Sequence, residues 1–214
     1  MTTSIPRIHQ DQPALTYGAA LDQAEAAVIL LHGRGATAHS LLPLAEALPG
    51  GKIAYVLPAA AGNTWYPNSG FAPFATNEPY LSSALAAVGE TVARLNAAGL
   101  PNDKIILGGF SQGACLASEF VARNATRYGG LIAFSGALLG PLDTPREYAG
   151  SLDGTPVFIG AVDRDPWVSA AQIRMSAEVL EKLGGAVTLR LIPGSEHTIR
   201  LEEVEAASAI IAGL

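Results

Sequence analysis

The sequence predicts an α/β fold, a mostly parallel central sheet with helices on both faces. Three observations carry this expectation. Six short aliphatic runs alternate with helix-length segments along the 214 residues. The runs are continuously apolar instead of alternating, as expected of strands covered on both sides. Strand–helix–strand alternation of this kind closes through right-handed crossovers onto a parallel sheet.

The expected strands are Ala27–Leu31, Ile53–Leu57, Lys104–Gly108, Gly130–Ser135, Pro156–Val162 and Ala186–Ile192. Helical patterns fall near His39–Ala47, Ser82–Ala97, Gln112–Arg123, Val168–Leu183 and Glu202–Ala212. No repeat or low-complexity linker divides the chain, so residues 1–214 read as one domain. One connection stands out. Pro58–Pro79, "PAAAGNTWYPNSGFAPFATNEP", is long and rich in Gly, Pro, Asn and aromatics. Long connections in compact domains tend to carry function, and in open parallel sheets ligands sit at the carboxyl ends of strands. This loop leaves from such an end. Trp65 serves there either as a pocket wall or as a plain hydrophobic anchor.

Composition narrows the function classes. The chain is 49% hydrophobic with mean hydropathy +0.28. Its longest apolar run, Ala24–Leu31, is interrupted by Glu25, far short of the ~18 residues a spanning helix needs. No stable membrane insertion is expected. The N-terminal segment lacks a basic stretch followed by an apolar core, so it does not read as a secretory signal. Together with a single cysteine, Cys115, this points to the cytoplasm. A net charge of −6 without Lys/Arg clusters gives no footprint for nucleic acid. Neither CxxC, HExxH nor a Walker sequence is present, so neither metal nor other cofactor is expected.

Chemistry concentrates in "KIILGGFSQGACLASEF". Gly109-Phe110-Ser111-Gln112-Gly113 is a G-x-S-x-G match between a strand-like and a helix-like run. A sharp strand-to-helix turn there would strain the serine backbone and expose its hydroxyl, with a helix N-terminus aimed at any developing anion. The plainer alternative is that Ser111 merely caps the helix. Cys115, one turn on, reads as a small packed residue without a basic neighbour. In "VILLHGRGATAHS", a Gly-x-Gly turn follows the first strong strand. The backbone N–H groups of Arg34 and Gln112 would together hold a tetrahedral oxyanion, at about 3 kcal/mol per donor. The Arg34 side chain would meet substrate or a surface carboxylate.

A general base in this architecture lies late, after the last strand. Of the four histidines, only His197 does, in "LIPGSEHTIRLEE". His32 reads as a structural residue bonding loop backbone; His9 and His39 read as surface or capping residues. The acid must fall between Ser111 and His197. Asp143 and Asp153 look like turn residues, which leaves Asp163 and Asp165 after "PVFIGAV". Local physics does not separate these two. Asp163 could serve a turn or pair with Arg164. Asp165, before Pro166, could cap the next helix. Either could accept the imidazole N–H.

With these pieces in place the chain resembles the phospholipase/carboxylesterase branch of the α/β hydrolases, which includes acyl-protein thioesterases. "LLHGRGA", "GFSQGA", "DRDPWV" and "PGSEHTI" match that family's motifs in order and spacing, and "NTWYPNSGFAP" and "NEPYLSSAL" resemble its HGRG subgroup. The resemblance covers the chain from about Ala27 onward. It implies an α/β-hydrolase fold with Ser111 as nucleophile, His197 as base and, directly before Pro-x-Val, Asp165 as acid. It matches Arg34 and Gln112 to the oxyanion positions. One departure is Glu196, where the family often has glycine; its carboxylate could raise the His197 pKa if it lies close.

The resulting expectation is a serine carboxylesterase for short- to medium-chain acyl esters, working through an acyl-enzyme. Trp65, Tyr66, Phe71 and Phe74 are expected to line its acyl pocket. A thioesterase or enol-lactone hydrolase would use the same triad, though a dienelactone enzyme usually has cysteine where Ser111 stands. A non-catalytic binding protein on this scaffold would usually lose a triad member. The expected partner is a small acyl ester; the sequence leaves a homodimer open.

Overall fold

The structure, a computed structural model, describes residues 5–214. Its centre is a seven-stranded sheet in the order β1-β3-β2-β4-β5-β6-β7. The strands are β1 (Ala14–Gly18), β2 (Ala26–Leu31), β3 (Ile53–Pro58), β4 (Ile105–Phe110), β5 (Gly130–Phe134), β6 (Pro156–Val162) and β7 (Ala186–Ile192). All neighbours pair in parallel except β1 with β3. The helices are α1 (Leu42–Ala47), α2 (Tyr80–Ala97), α3 (Gln112–Arg123), α4 (Ala170–Lys182) and α5 (Leu201–Ile211).

Continuous apolar runs explain the two-sided core. Along β2, Ala27, Ile29 and Leu31 pack on one side with α2 and α3, while Val28 and Leu30 pack on the other with α1 and α5. Every residue of this strand is buried. Burying one such Leu or Ile contributes about 2 kcal/mol, so neither face tolerates a polar residue.

The structure amends the expected elements in three places. The antiparallel edge strand β1 is short and half-exposed, and so lacks the apolar run that marks the others. β7 is not covered on both faces: it is the opposite edge, and its burial alternates. The segment expected as one helix from His39 to Ala47 splits into a 3-10 turn, Ala38–Leu41, followed by α1. Pro43 sits in the first turn of α1, where its missing N–H costs nothing.

The contact that positions the site is the approach of α3 to the end of β2. A Cβ on Gly113 would lie 2.0 Å from the Leu31 carbonyl oxygen, and one on Gly109 2.4 Å from the same atom. Only glycine fits at either position. The chain therefore turns from β4 into α3 within one residue, Ser111, at φ 55° and ψ −118°. That left-handed conformation is strained for a residue with a Cβ. Gly113→Ala is expected to cost at least about 3 kcal/mol by overpacking against backbone, read as a fall in the urea midpoint or as loss of soluble protein. Gly35→Ala, with open space around its Cβ, is expected to cost about 1 kcal/mol through its positive φ alone.

Candidate active site

Strand ends assemble the site. Ser111 follows β4, the Gly33–Gly35 turn follows β2, Asp165 follows β6, and His197 lies between β7 and α5. A cleft of about 540 Å³ opens there, lined by Ser111, His197, Gln112, Arg34, Tyr66 and Phe71 among others. Ser111 makes no capping hydrogen bond with its side chain, so the plain capping role fails and its hydroxyl faces the cleft. Its own N–H donates to the Phe134 carbonyl at 2.9 Å.

The two aspartates divide clearly. The His197 Nδ1–H donates to Asp165 Oδ2 at 2.7 Å, and the Asp165 side chain is fully buried. Asp165 Oδ1 accepts the backbone N–H groups of Trp167 at 2.8 Å and Val168 at 3.0 Å. Three hydrogen bonds thus hold one carboxylate in a single orientation. Asp163 is exposed; its Oδ1 accepts the Gly194 N–H at 2.9 Å and lies 3.6 Å from Arg164 Nε. The Gly194 bond, ahead of the Arg164 charge, holds its carboxyl below the usual aspartate range. Asp163 thereby ties the end of β6 to the turn that leads into His197. Asp165 does not cap α4; that helix starts later, and Ser169 caps it by accepting from Gln172 N.

With Nδ1 committed to Asp165, the imidazole leaves Nε2 for the cleft. Phe110 lies against the ring, centroids 4.8 Å apart, and limits its rotation. The Glu196 side chain is exposed and its carboxylate sits 3.8 Å from Arg200. Among the described residues, the N–H groups of Arg34 and Gln112 donate to no protein acceptor. One follows the Gly33 turn and the other opens α3, so two unsatisfied donors flank Ser111.

The 58–79 loop is fastened to these same residues. The Gln112 side chain accepts from Trp65 N at 2.9 Å and donates to the Tyr66 carbonyl at 2.8 Å. Arg34 donates from its guanidinium to the carbonyls of Pro67 and Asn68 and lies 5.8 Å from the Tyr66 ring centroid. Among the described residues it meets no carboxylate, contrary to one of the two expected roles. Tyr66 and Phe71 line the cleft as expected, but Trp65 does not. Trp65 is wholly enclosed, donating its indole N–H to the His32 carbonyl at 3.0 Å; its bulk fills the space beneath the loop, the anchor role. Phe74 also lies off the cleft wall and stacks under Arg123 at 5.0 Å.

His32 is structural. Its Nδ1–H donates to the Gly33 carbonyl at 2.8 Å and its Nε2 accepts from Ala60 N at 3.1 Å. His39 is exposed. His9, expected as a surface or capping residue, is buried against Trp65 and Tyr80, and its Nδ1 accepts from Ala61 N at the start of the Ala61–Asn63 3-10 turn. Cys115 is buried, its Sγ accepts from Ala137 N, and burial pushes its thiol up to about 11; it is a packed residue, not a second nucleophile. Sequence reasoning missed the Gln112 side-chain clamp and the Phe110 contact. No motif announces either, because both depend on where distant backbone comes to rest. Among the described residues no group of three or more His, Cys, Asp or Glu side chains is arranged to hold a metal ion. No helix there is long and apolar enough to cross a membrane.

A mostly parallel sheet with a strained serine between a strand and a helix defines an α/β hydrolase. The chain belongs to the phospholipase/carboxylesterase family, whose sequence model matches residues 18–213. A crystal structure of a phospholipase/carboxylesterase from Dyadobacter fermentans DSM 18053 is similar at 40% identity and TM-score 0.91, covering 98% of this chain and all of that one. Acyl-protein thioesterase 1 of Candida albicans is 29% identical over 75% of this chain and 79% of that protein. The counterpart in Debaryomyces hansenii is 34% identical over 52% of this chain, and the match spans about half of that relative's length. A Bacillus cereus carboxylesterase shares the fold, with TM-score 0.74 at 22% identity.

Burial holds the imidazoles of His9 and His32 below their ordinary 6.5. As pH falls, the unfolded chain then binds protons before the folded one. Their contribution is therefore complete above about pH 6.5 and is lost as pH drops toward the folded values. The urea midpoint is expected to fall between pH 7.5 and pH 5, with a shallower fall in His9→Gln.

Proposed function

We propose that this protein is a carboxylesterase that cleaves short- to medium-chain acyl esters through an acyl-enzyme on Ser111. The Asp165–His197 hydrogen bond of 2.7 Å behind a cleft shared by Ser111 and His197 carries the reading. In it, His197 Nε2 takes the Ser111 proton as Oγ attacks the ester carbonyl. Asp165 keeps the imidazole in the Nδ1–H tautomer and stabilises the imidazolium. The N–H groups of Arg34 and Gln112 receive the oxyanion. His197 then returns the proton to the leaving alcohol, and water deacylates the serine by the same route in reverse order. The whole cycle is acid–base and nucleophilic chemistry by these side chains.

A thioester substrate is the second reading, favoured by the acyl-protein thioesterase relatives. The chemistry on Ser111 is the same, and only the leaving group differs. The single buried cysteine suits a reducing compartment, and the reading extends to a cytoplasmic enzyme.

The test is a chain-length series of acyl esters and matching thioesters with wild type and Ser111→Ala. Turnover of esters up to about eight carbons, abolished in Ser111→Ala, is the expected result; turnover retained in Ser111→Ala would overturn it. The aspartates supply a paired control. Asp165→Asn is expected to lower kcat by about 10³- to 10⁴-fold. Asp163→Asn removes only a surface anchor of the His197 loop and is expected to lower it less than about tenfold. Steady-state kinetics with a soluble nitrophenyl ester separates the two.

A further inference from the structure

The cleft carries a charge asymmetry that the ester chemistry does not need. No aspartate or glutamate lines it, whereas Arg34 does. This occurs in a chain whose net charge is −6, so the local sign is opposite to the overall one. Arg34 pairs with no carboxylate among the described residues; the arginines that do pair are Arg7, Arg123, Arg146, Arg164 and Arg200. Its guanidinium is exposed and already oriented, because two of its N–H groups bond the Pro67 and Asn68 carbonyls. A guanidinium has five donors, so three remain. A cation held in place beside a nucleophile, with donors to spare and no counter-ion, is suited to a carboxylate.

Topology says which part of the substrate this cation meets. In the strand order β3-β2-β4-β5-β6-β7, Arg34 follows β2 and the 66–71 wall follows β3. Ser111 follows β4, while Asp165 and His197 lie beyond it on the β6 and β7 side. Arg34 and His197 therefore flank the nucleophile from opposite sides. His197 must deliver a proton to the leaving alcohol, so the alcohol lies on its side. The acyl chain then runs the other way, past Arg34 and along the wall of Tyr66, Asn68 and Ser69, with Phe71 closing the apolar part.

We infer that the preferred acyl group carries its own carboxylate, so that the substrates are half-esters or half-thioesters of short dicarboxylic acids, with Arg34 holding the distal carboxylate. The inference rests on the esterase reading above and names the substrate class for the same site. Asn68 and Ser69, polar and exposed on the same wall, add neutral hydrogen-bonding capacity beside the cation.

Monoethyl glutarate and ethyl pentanoate test it directly. They share the leaving group and a five-carbon acyl chain, and differ in the terminal carboxylate. The readout is ethanol release, expressed as the ratio of kcat/KM for the glutarate over the pentanoate. Because Arg34 also offers its backbone N–H to the oxyanion, any effect of substitution on the shared chemistry divides out of this ratio. The wild type is expected to favour the glutarate by about tenfold, the scale of one charge-assisted hydrogen bond. Arg34→Met is expected to bring the ratio to one or below, and Arg34→Lys to keep part of it. A wild-type ratio at or below one, with ethyl pentanoate turned over normally, would overturn the inference and leave the esterase reading standing. So would a preference that survives intact in Arg34→Met. Failure of the wild type to hydrolyse either ester would overturn both. Should Arg34→Met not fold, the wild-type ratio and Arg34→Lys decide the question.

Discussion

The placement of α3 against the end of β2 governs the rest of the site. Gly109 and Gly113 both lie so close to the Leu31 carbonyl that a Cβ at either would collide with backbone. This contact leaves β4 no room to run on, and the chain reverses into a helix within one residue. Ser111 takes that residue's strained conformation, held by its N–H bond to Phe134 and by the packing of α3. Strain at such a point persists only because the surroundings over-determine it. Its consequence is chemical: the Ser111 hydroxyl stands at the carboxyl end of the central strand, on the wall of the cleft, beside the first residue of the helix.

A second layer of constraint follows from that placement. Gln112, whose N–H flanks Ser111, uses its side chain to clip the 58–79 loop at Trp65 and Tyr66. Arg34, whose N–H flanks it from the other side, uses its side chain to clip the same loop at Pro67 and Asn68. The two residues whose N–H groups flank Ser111 thus also fix the cleft wall. Trp65 fills the space beneath, and His32 and His9 brace it from behind. These bonds tie the cleft wall to the two residues that flank Ser111.

Much of this was legible in the sequence, and the parts that were not have physical reasons. The five buried strands, β2 to β6, announced themselves because a strand covered on both faces must be apolar throughout. The edge strands obey a weaker rule, which hid β1 and misjudged the coverage of β7. The elbow serine and the late histidine could be singled out because position along the chain marks them, and the structure brings both to one cleft. The choice of Asp165 over Asp163 came only from the family motif, since both follow the same strand two residues apart and their local chemistry is alike. It turns on burial: the Asp165 side chain is enclosed and the Asp163 side chain faces solvent. Trp65 was expected on the pocket wall and instead takes its alternative role as an anchor, and His9 is buried, for a similar reason: which way a loop side chain faces is set only when the loop folds back over the core.

The account stands or falls on one hydroxyl. Reaction with a fluorophosphonate followed by peptide mapping measures it most directly, because the reagent phosphonylates a serine only when a neighbouring base activates it. The account expects one adduct per chain, on the peptide that carries Ser111, slowed in Asp165→Asn and absent from Ser111→Ala. An adduct on another residue, or none on folded protein, would contradict it.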